Sequence, residues 1–160
     1  MLEKYEMVFI SPIGPIGVNS SNEHIIKIKF DLNLIEIRPK DLFLKKVRDQ
    51  LDLYFKRKLT KFTVPYILSG TNYQKRVLKE VSNICFGDKK TYSDIAQKIN
   101  THPRPVGNAC RENPIQLLIP CHRVIGKDNI GGFSGGDIKN HGNMIVVKKN
   151  LLALEKEGVH

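Results

Sequence analysis

Apolar and polar positions alternate in short runs over the first 30 residues, at 5–11, 14–18 and 25–30, and Pro, Gly, Asn and Ser punctuate the gaps. Such runs predict strands of a small antiparallel sheet. From Asp41 the period lengthens. Leu44, Val47, Leu51, Tyr54 and Phe55 fall on one face and Lys45, Lys46, Arg48 and Asp52 on the other, which predicts an amphipathic helix able to cover the sheet. Residues 60–70 have no clear period and contain Pro65, so they read as a linker.

Beyond it the pattern is helical. Thr71-x-x-Gln74 predicts a capping box, Val77, Val81 and Ile84 follow at helical spacing, and Gly87 predicts the stop. Residues 92–99 form a second short helix, 100–103 are breakers, and a third helix over 104–112 starts beside prolines. Two short helices about a tight turn predict a helix-turn-helix. Residues 115–119 are apolar apart from Gln116 and run into Pro120-Cys121-His122-Arg123-Val124, then a Gly-rich loop with Gly126 and 131–136. A last helix is expected from near Met144 through Leu151-Leu152-Ala153-Leu154-Glu155. The fold class is therefore α+β: an N-terminal sheet with a covering helix over 1–69, then a mainly helical unit over 70–160.

The length of 160 residues fits one compact domain or two small ones. With 26 Lys and Arg against 16 Asp and Glu the chain carries +10 and a pI near 9.6. That balance favours a polyanionic partner, nucleic acid before an anionic membrane surface. Residues 1–9 include Glu3, Lys4 and Glu6, no secretory apolar stretch is present and no long apolar span occurs, so a cytoplasmic protein is expected, nucleoid-associated or nuclear according to the organism. Cys85, Cys110 and Cys121 are odd in number and include no C-x-x-C pair, which argues against a disulfide framework or a zinc ribbon.

A free thiol is the sharpest candidate chemistry. Cys121 ends the apolar run and is followed by His122 and Arg123, an imidazole and a cation that favour thiolate, the nucleophilic form. Adjacent side chains diverge by about 100° in a helix and oppose one another in a strand, so His122 reaches the thiol only across a sharp turn or through a water. A carboxylate on the other ring nitrogen would complete an activated nucleophile. The alternative is a buried structural cysteine, the reading that Cys85 and Cys110 retain.

The string Asn113-Pro114-x-x-x-x-Ile119-Pro120-Cys121-His122-Arg123-Val124-Ile125, with Gly131-Gly132-Phe133-Ser134-Gly135-Gly136 and Leu151-Leu152-Ala153-Leu154-Glu155, closely resembles the O6-alkylguanine-DNA alkyltransferase family. Tyr54-Phe55, residues 70–74, Tyr92-Ser93-Asp94-Ile95-Ala96 and Arg104-Pro105-Val106-Gly107 extend the likeness. It implies a monomeric, cofactor-free protein that binds duplex DNA, flips out O6-alkylguanine and moves the alkyl group irreversibly to its own cysteine. By motif position Cys121 would be the acceptor, and His122 would reach it through a water and be oriented by Glu155. Asn113 would hold the turn before the cysteine. Tyr92 would crowd the phosphate beside the target, and Arg104 would fill the gap in the base stack. Gly107 and Arg111 would also face DNA. The loop at Ser134 and Gly135 would receive the O6 edge, and the carbonyls of Cys121 and Val124 would read the exocyclic amine. A non-enzymatic module that only binds alkylguanine in DNA is the alternative, and the presence of Cys121 speaks against it.

The sequence departs from the family pattern at several places. Pro105 stands where the family has alanine, removing an amide from the first turn of the recognition helix. Gln116 and Cys110 occupy pocket positions and predict a reshaped pocket that reacts poorly with bulky O6-benzyl groups. Residues 137–147 are roughly eight residues longer than the family's usual spacing to the Lys148-x-x-Leu151-Leu152 element, an insertion of the kind that surface loops tolerate. The N-terminal half has no cysteine, so no metal site is expected there.

Overall fold

A computed structural model describes residues 4–133 and 142–158. Strands β1 (Met7–Ser11), β2 (Gly14–Ser21) and β3 (His24–Phe30) form an antiparallel sheet in sequence order. Met7 pairs with Val18, Val18 with Ile28 and Ile16 with Phe30, so the alternation places all of these side chains on one buried face. Asn22 and Glu23 both take positive φ, 49° and 58°, as the tight turn between β2 and β3 requires.

Helix α1 (Leu42–Phe55) covers that face with Leu44, Val47, Leu51, Tyr54 and Phe55. Asp41 caps it, its carboxylate accepting from the Leu44 amide at 2.8 Å. The helix ends in a Schellman turn with Arg57 at φ 58°, where Lys58 N donates to Leu53 O. Residues 60–70 return along β3, and Ile25 exchanges backbone hydrogen bonds with Pro65 and Ile67. A second bridge, Ile28 to Ile115, ties the other end of β3 to the segment that precedes the cysteine.

Helix α2 (Asn72–Val81) is capped by Thr71, whose hydroxyl accepts from Gln74 N at 3.1 Å. The expected capping box does not close, because the Gln74 amide donates instead to Glu112 O. The helix also stops at Val81, six residues before Gly87. Ser82 turns its hydroxyl onto Lys79 O and a tight turn follows, yet Ile84 remains buried. The helical spacing of Ile84 thus persists beyond the helix itself. Strand β4 (Lys90–Thr91) leads directly into α3 (Tyr92–Lys98), where Thr91 and Asp94 form a complete capping box. Helix α4 (Pro103–Arg111) follows a turn with Asn100 at φ 59° and packs against both α2 and α3, completing the helix-turn-helix.

The chain then crosses residues 113–119 and makes a single 3-10 turn, Cys121–Arg123, before β5 (Val124–Ile125), which pairs parallel with β4. Helix α5 (Gly142–Lys156) closes the described chain. It begins two residues before the expected Met144. One continuous apolar core runs from the sheet through α1, α2 and α4 to Leu151.

Candidate active site around Cys121

Asn113 shapes the approach to the cysteine. Its carbonyl accepts from Ile115 N and its amide donates to Ile119 O, both at 2.9 Å and both buried. These bonds fold residues 113–119 into a loop that delivers Cys121 to the start of the 3-10 turn. Gln116 is part of the same stitching. Its side-chain carbonyl accepts from Phe30 N at 2.9 Å, so this buried side chain ties the loop before the cysteine to β3.

The sharp turn separates Cys121 from its neighbours. His122 is completely buried and directs Nε2 at Glu155 Oε2, 2.7 Å away on α5. Arg123, expected beside the thiol, lies elsewhere: its guanidinium donates to both Glu155 oxygens at 2.8 and 2.9 Å and to Ile84 O at 2.7 Å. Its cation is therefore spent on the carboxylate, in the bidentate geometry that Arg favours. Tyr54 OH donates to Glu155 Oε2 at 2.6 Å. Burial opposes ionisation of Glu155, but the hydrogen bonds and charges of His122 and Arg123 override it and hold the carboxyl below its ordinary range. Burial also lowers the His122 pKa, against the pull of Glu155.

A neutral imidazole bonded to an ionised carboxylate must donate through Nε2, which leaves the lone pair on Nδ1. That atom is buried and has no hydrogen-bond partner among the described residues. The arrangement supplies a base held in one tautomer at the position following the cysteine, the kind of group an activated nucleophile needs.

Burial, and then the neighbouring Cys110 thiol, push the Cys121 thiol well above its ordinary value, opposed by Asn113 and Lys148. The resting form is thus the neutral thiol, contrary to the expected thiolate. The cation that does face it is Lys148 of α5, whose Nζ donates to Val124 O at 2.6 Å and Gly132 O at 2.9 Å. Burial brings this ammonium down to about 8. It also sits 5.7 Å from the centre of the Tyr92 ring.

Tyr92 opens α3, and burial, with Cys110 and Cys121 nearby, pushes its phenol up to about 12. Gly107 of α4 faces its ring, where an added Cβ would lie at 3.9 Å. At Gly131, with φ 75°, a Cβ would stand 2.6 Å from the Tyr92 oxygen. Arg104 and Arg111 are exposed at the two ends of α4. Ser134 and Gly135 lie outside the described residues. Among the residues named from the sequence, the fold brings Cys121, His122, Glu155, Asn113, Val124, Gly107 and Tyr92 together and leaves Arg104 and Arg111 on the outer face.

Lys148, Tyr54 and the bonding role of Arg123 are additions of the fold. Lys148 read only as the start of the Lys148-x-x-Leu151-Leu152 element, with no role at the thiol, and Tyr54 read as core.

The family model described as "6-O-methylguanine DNA methyltransferase, DNA binding domain" matches residues 72–157, and the "ribonuclease-like domain" model of the same protein matches 4–67. A methylated-DNA–protein-cysteine methyltransferase of Metallosphaera sedula is 38% identical over 148 residues, covering 92% of this chain and 90% of that protein. A crystal structure of Mycobacterium tuberculosis O6-methylguanine methyltransferase superposes with a TM-score of 0.82 at 32% identity, covering 98% of this chain and 94% of the other. The Mycobacterium tuberculosis OGT in complex with DNA superposes at 0.77, again at 32% identity, over 95% and 92% of the two chains.

Proposed function

Because the chain belongs to the 6-O-methylguanine DNA methyltransferase family, we infer that it is a DNA repair protein, a methylated-DNA–protein-cysteine methyltransferase, with Cys121 as the acceptor. The observation that carries the assignment of Cys121 is the adjacent His122, neutral, held through Nε2 by Glu155, with a buried and unpartnered Nδ1. In the reaction the thiol proton passes through a bridging water to His122 Nδ1. The sulfur attacks the alkyl carbon, the bond from carbon to guanine O6 breaks, its electron pair leaves with the guanine, and the guanine takes up one proton while the imidazolium later gives its own back to solvent. Since the resting thiol is neutral, proton removal accompanies attack. The imidazolium that forms is stabilised by the Glu155 carboxylate, and the fixed Lys148 cation stabilises developing charge in a water-poor site. The sulfur ends as a thioether, so each molecule acts once.

The substrate is duplex DNA bearing O6-alkylguanine, bound by a monomer. A stacked base is out of reach of a buried thiol, and extrusion costs about a few kcal/mol. Helix α4 presents Arg104 at its exposed start to occupy the vacated stack, with Arg111 on the same helix for the backbone. Tyr92, at the start of α3, crowds the phosphate beside the target nucleotide and promotes its rotation. Val124 O reads the exocyclic amine together with Cys121 O, and Ser134 and Gly135 receive O6. The division into 1–69 and 70–160, with the second part holding all of the transfer chemistry except Tyr54, is supported by the two family matches.

The test is a comparison of the wild type with Cys121→Ser on a duplex carrying one labelled O6-methylguanine. The variant is expected to bind the damaged duplex but leave the label on DNA, whereas the wild type takes it onto protein. Label transfer by the variant overturns the assignment.

A further inference from the structure

Two buried cysteines flank the Asn113 loop, and the transfer reaction uses only one. Cys110 lies in the last turn of α4, Cys121 opens the 3-10 turn, both are buried, and the Asn113 loop holds the two segments against each other. Asn113 N donates to Cys110 O at 3.2 Å, its side-chain amide donates to Ile119 O at 2.9 Å, and that same oxygen accepts from Cys121 N at 2.9 Å, so one asparagine and one carbonyl link the backbones of the two cysteines. Cys110 helps to hold the Cys121 thiol up, and both act on Lys148 and Tyr92. The third cysteine, Cys85, is exposed in the turn after α2. On the proposed function the site opens to a flipped base, and a peroxide is a far smaller electrophile for the same sulfur once His122 takes its proton.

We propose that Cys110 is a resolving thiol that forms a reversible disulfide with Cys121 when the protein meets a hydroperoxide, which makes this pair a modification site. The inference rests on the proposed function for access to Cys121 and for its consequence, loss of transfer. In the first step Cys121 sulfur attacks one peroxide oxygen, the O–O bond breaks, and the departing hydroxide takes the thiol proton relayed by His122, giving a sulfenic acid and one water. In the second, Cys110 sulfur attacks the Cys121 sulfur, the S–O bond breaks, and hydroxide leaves with the Cys110 proton as a second water. Two thiol sulfurs are oxidised and one peroxide is reduced. The disulfide withdraws the acceptor from alkyl transfer and shields it from irreversible oxidation to sulfinic acid, until a dithiol reductant restores it.

The test treats full-length protein carrying Cys85→Ser with excess hydrogen peroxide, then measures intact mass and maps peptides without reduction. The expected result is loss of two hydrogens, a cross-link between the Cys110 and Cys121 peptides, and loss of alkyl transfer that dithiothreitol reverses. In the same background Cys110→Ser is expected to gain oxygen on Cys121, with transfer that dithiothreitol does not restore, each protein compared with its own untreated sample. Oxygen addition on Cys121 while Cys110 stays free overturns the proposal, as does no modification at all. A cross-link formed in protein that transfers no alkyl group even before treatment would instead count against the role of Cys121 as acceptor.

Discussion

Glu155 couples most of the site, since His122, Arg123 and Tyr54 all bond to its two oxygens. Glu155→Gln leaves the Arg123 cation buried without its counter-charge, a change that costs about 3–5 kcal/mol. We expect that loss in urea unfolding, together with abolished transfer; an unchanged midpoint would show that Arg123 has another partner. The same groups set the acid response. The folded pKa of His122 is lowered, so its contribution to stability is present above about 6.5, the ordinary value, and is lost as pH falls through the folded value. Glu155 is also lowered and adds a further loss below the ordinary carboxylate range. Melting temperature should therefore fall steadily from neutral pH towards pH 4, and transfer should persist somewhat below pH 6.5 before it fails. A melting temperature that rises on acidification contradicts the neutral imidazole.

Gly131 supplies another check at this scale. Its φ of 75° and the 2.6 Å approach to the Tyr92 oxygen leave no room for a methyl group. Gly131→Ala is expected to cost about 1 kcal/mol or more in stability and to displace the Tyr92 ring, slowing transfer from a duplex. A variant with wild-type rates shows that Tyr92 can move freely.

Among the elements, β1 to β3 were legible from their alternation, α1 and α3 because period and caps agree, with Asp41 and Thr91 standing where the helices they cap begin, and α4 from the prolines of its first turn. The end of α2 was not, since Ile84 keeps helical spacing while packing from a turn, and Gly87 at φ 85° serves that later turn. The site was legible in its motif residues and opaque in its charges. Adjacency suggested that Arg123 would serve the thiol, whereas the 3-10 turn sends it to a carboxylate more than 30 positions away. Lys148 was hidden for the corresponding reason: a buried lysine looks like any surface lysine until the carbonyls of Val124 and Gly132 are brought to it. Helix α4 carries its own prediction. Arg104→Ala should slow repair in a duplex much more than reaction with the free modified base, because only the duplex must be opened. Equal slowing refutes its place in the base stack.

Across the whole molecule the charge is spread rather than gathered. Residues 1–69 hold 12 basic and 8 acidic groups, for +4, and residues 70–160 hold 14 and 8, for +6. General attraction to duplex follows, and damage recognition falls to base extrusion and the pocket. The salt dependence of binding should correspond to about four phosphates neutralised; a slope near that of a large repressor would move the weight back to electrostatics. The single core joining sheet to active site also predicts that a methyl group added to the buried Cys121 strains its neighbours and lowers the melting temperature. The most direct test of the central claim is the intact mass and peptide map of the protein after incubation with a duplex containing one O6-methylguanine. Stoichiometric gain of one CH2 on Cys121, with the DNA restored to guanine, is the result predicted. Tight binding with no change in mass, or alkylation at Cys110 or Cys85 instead, would contradict it.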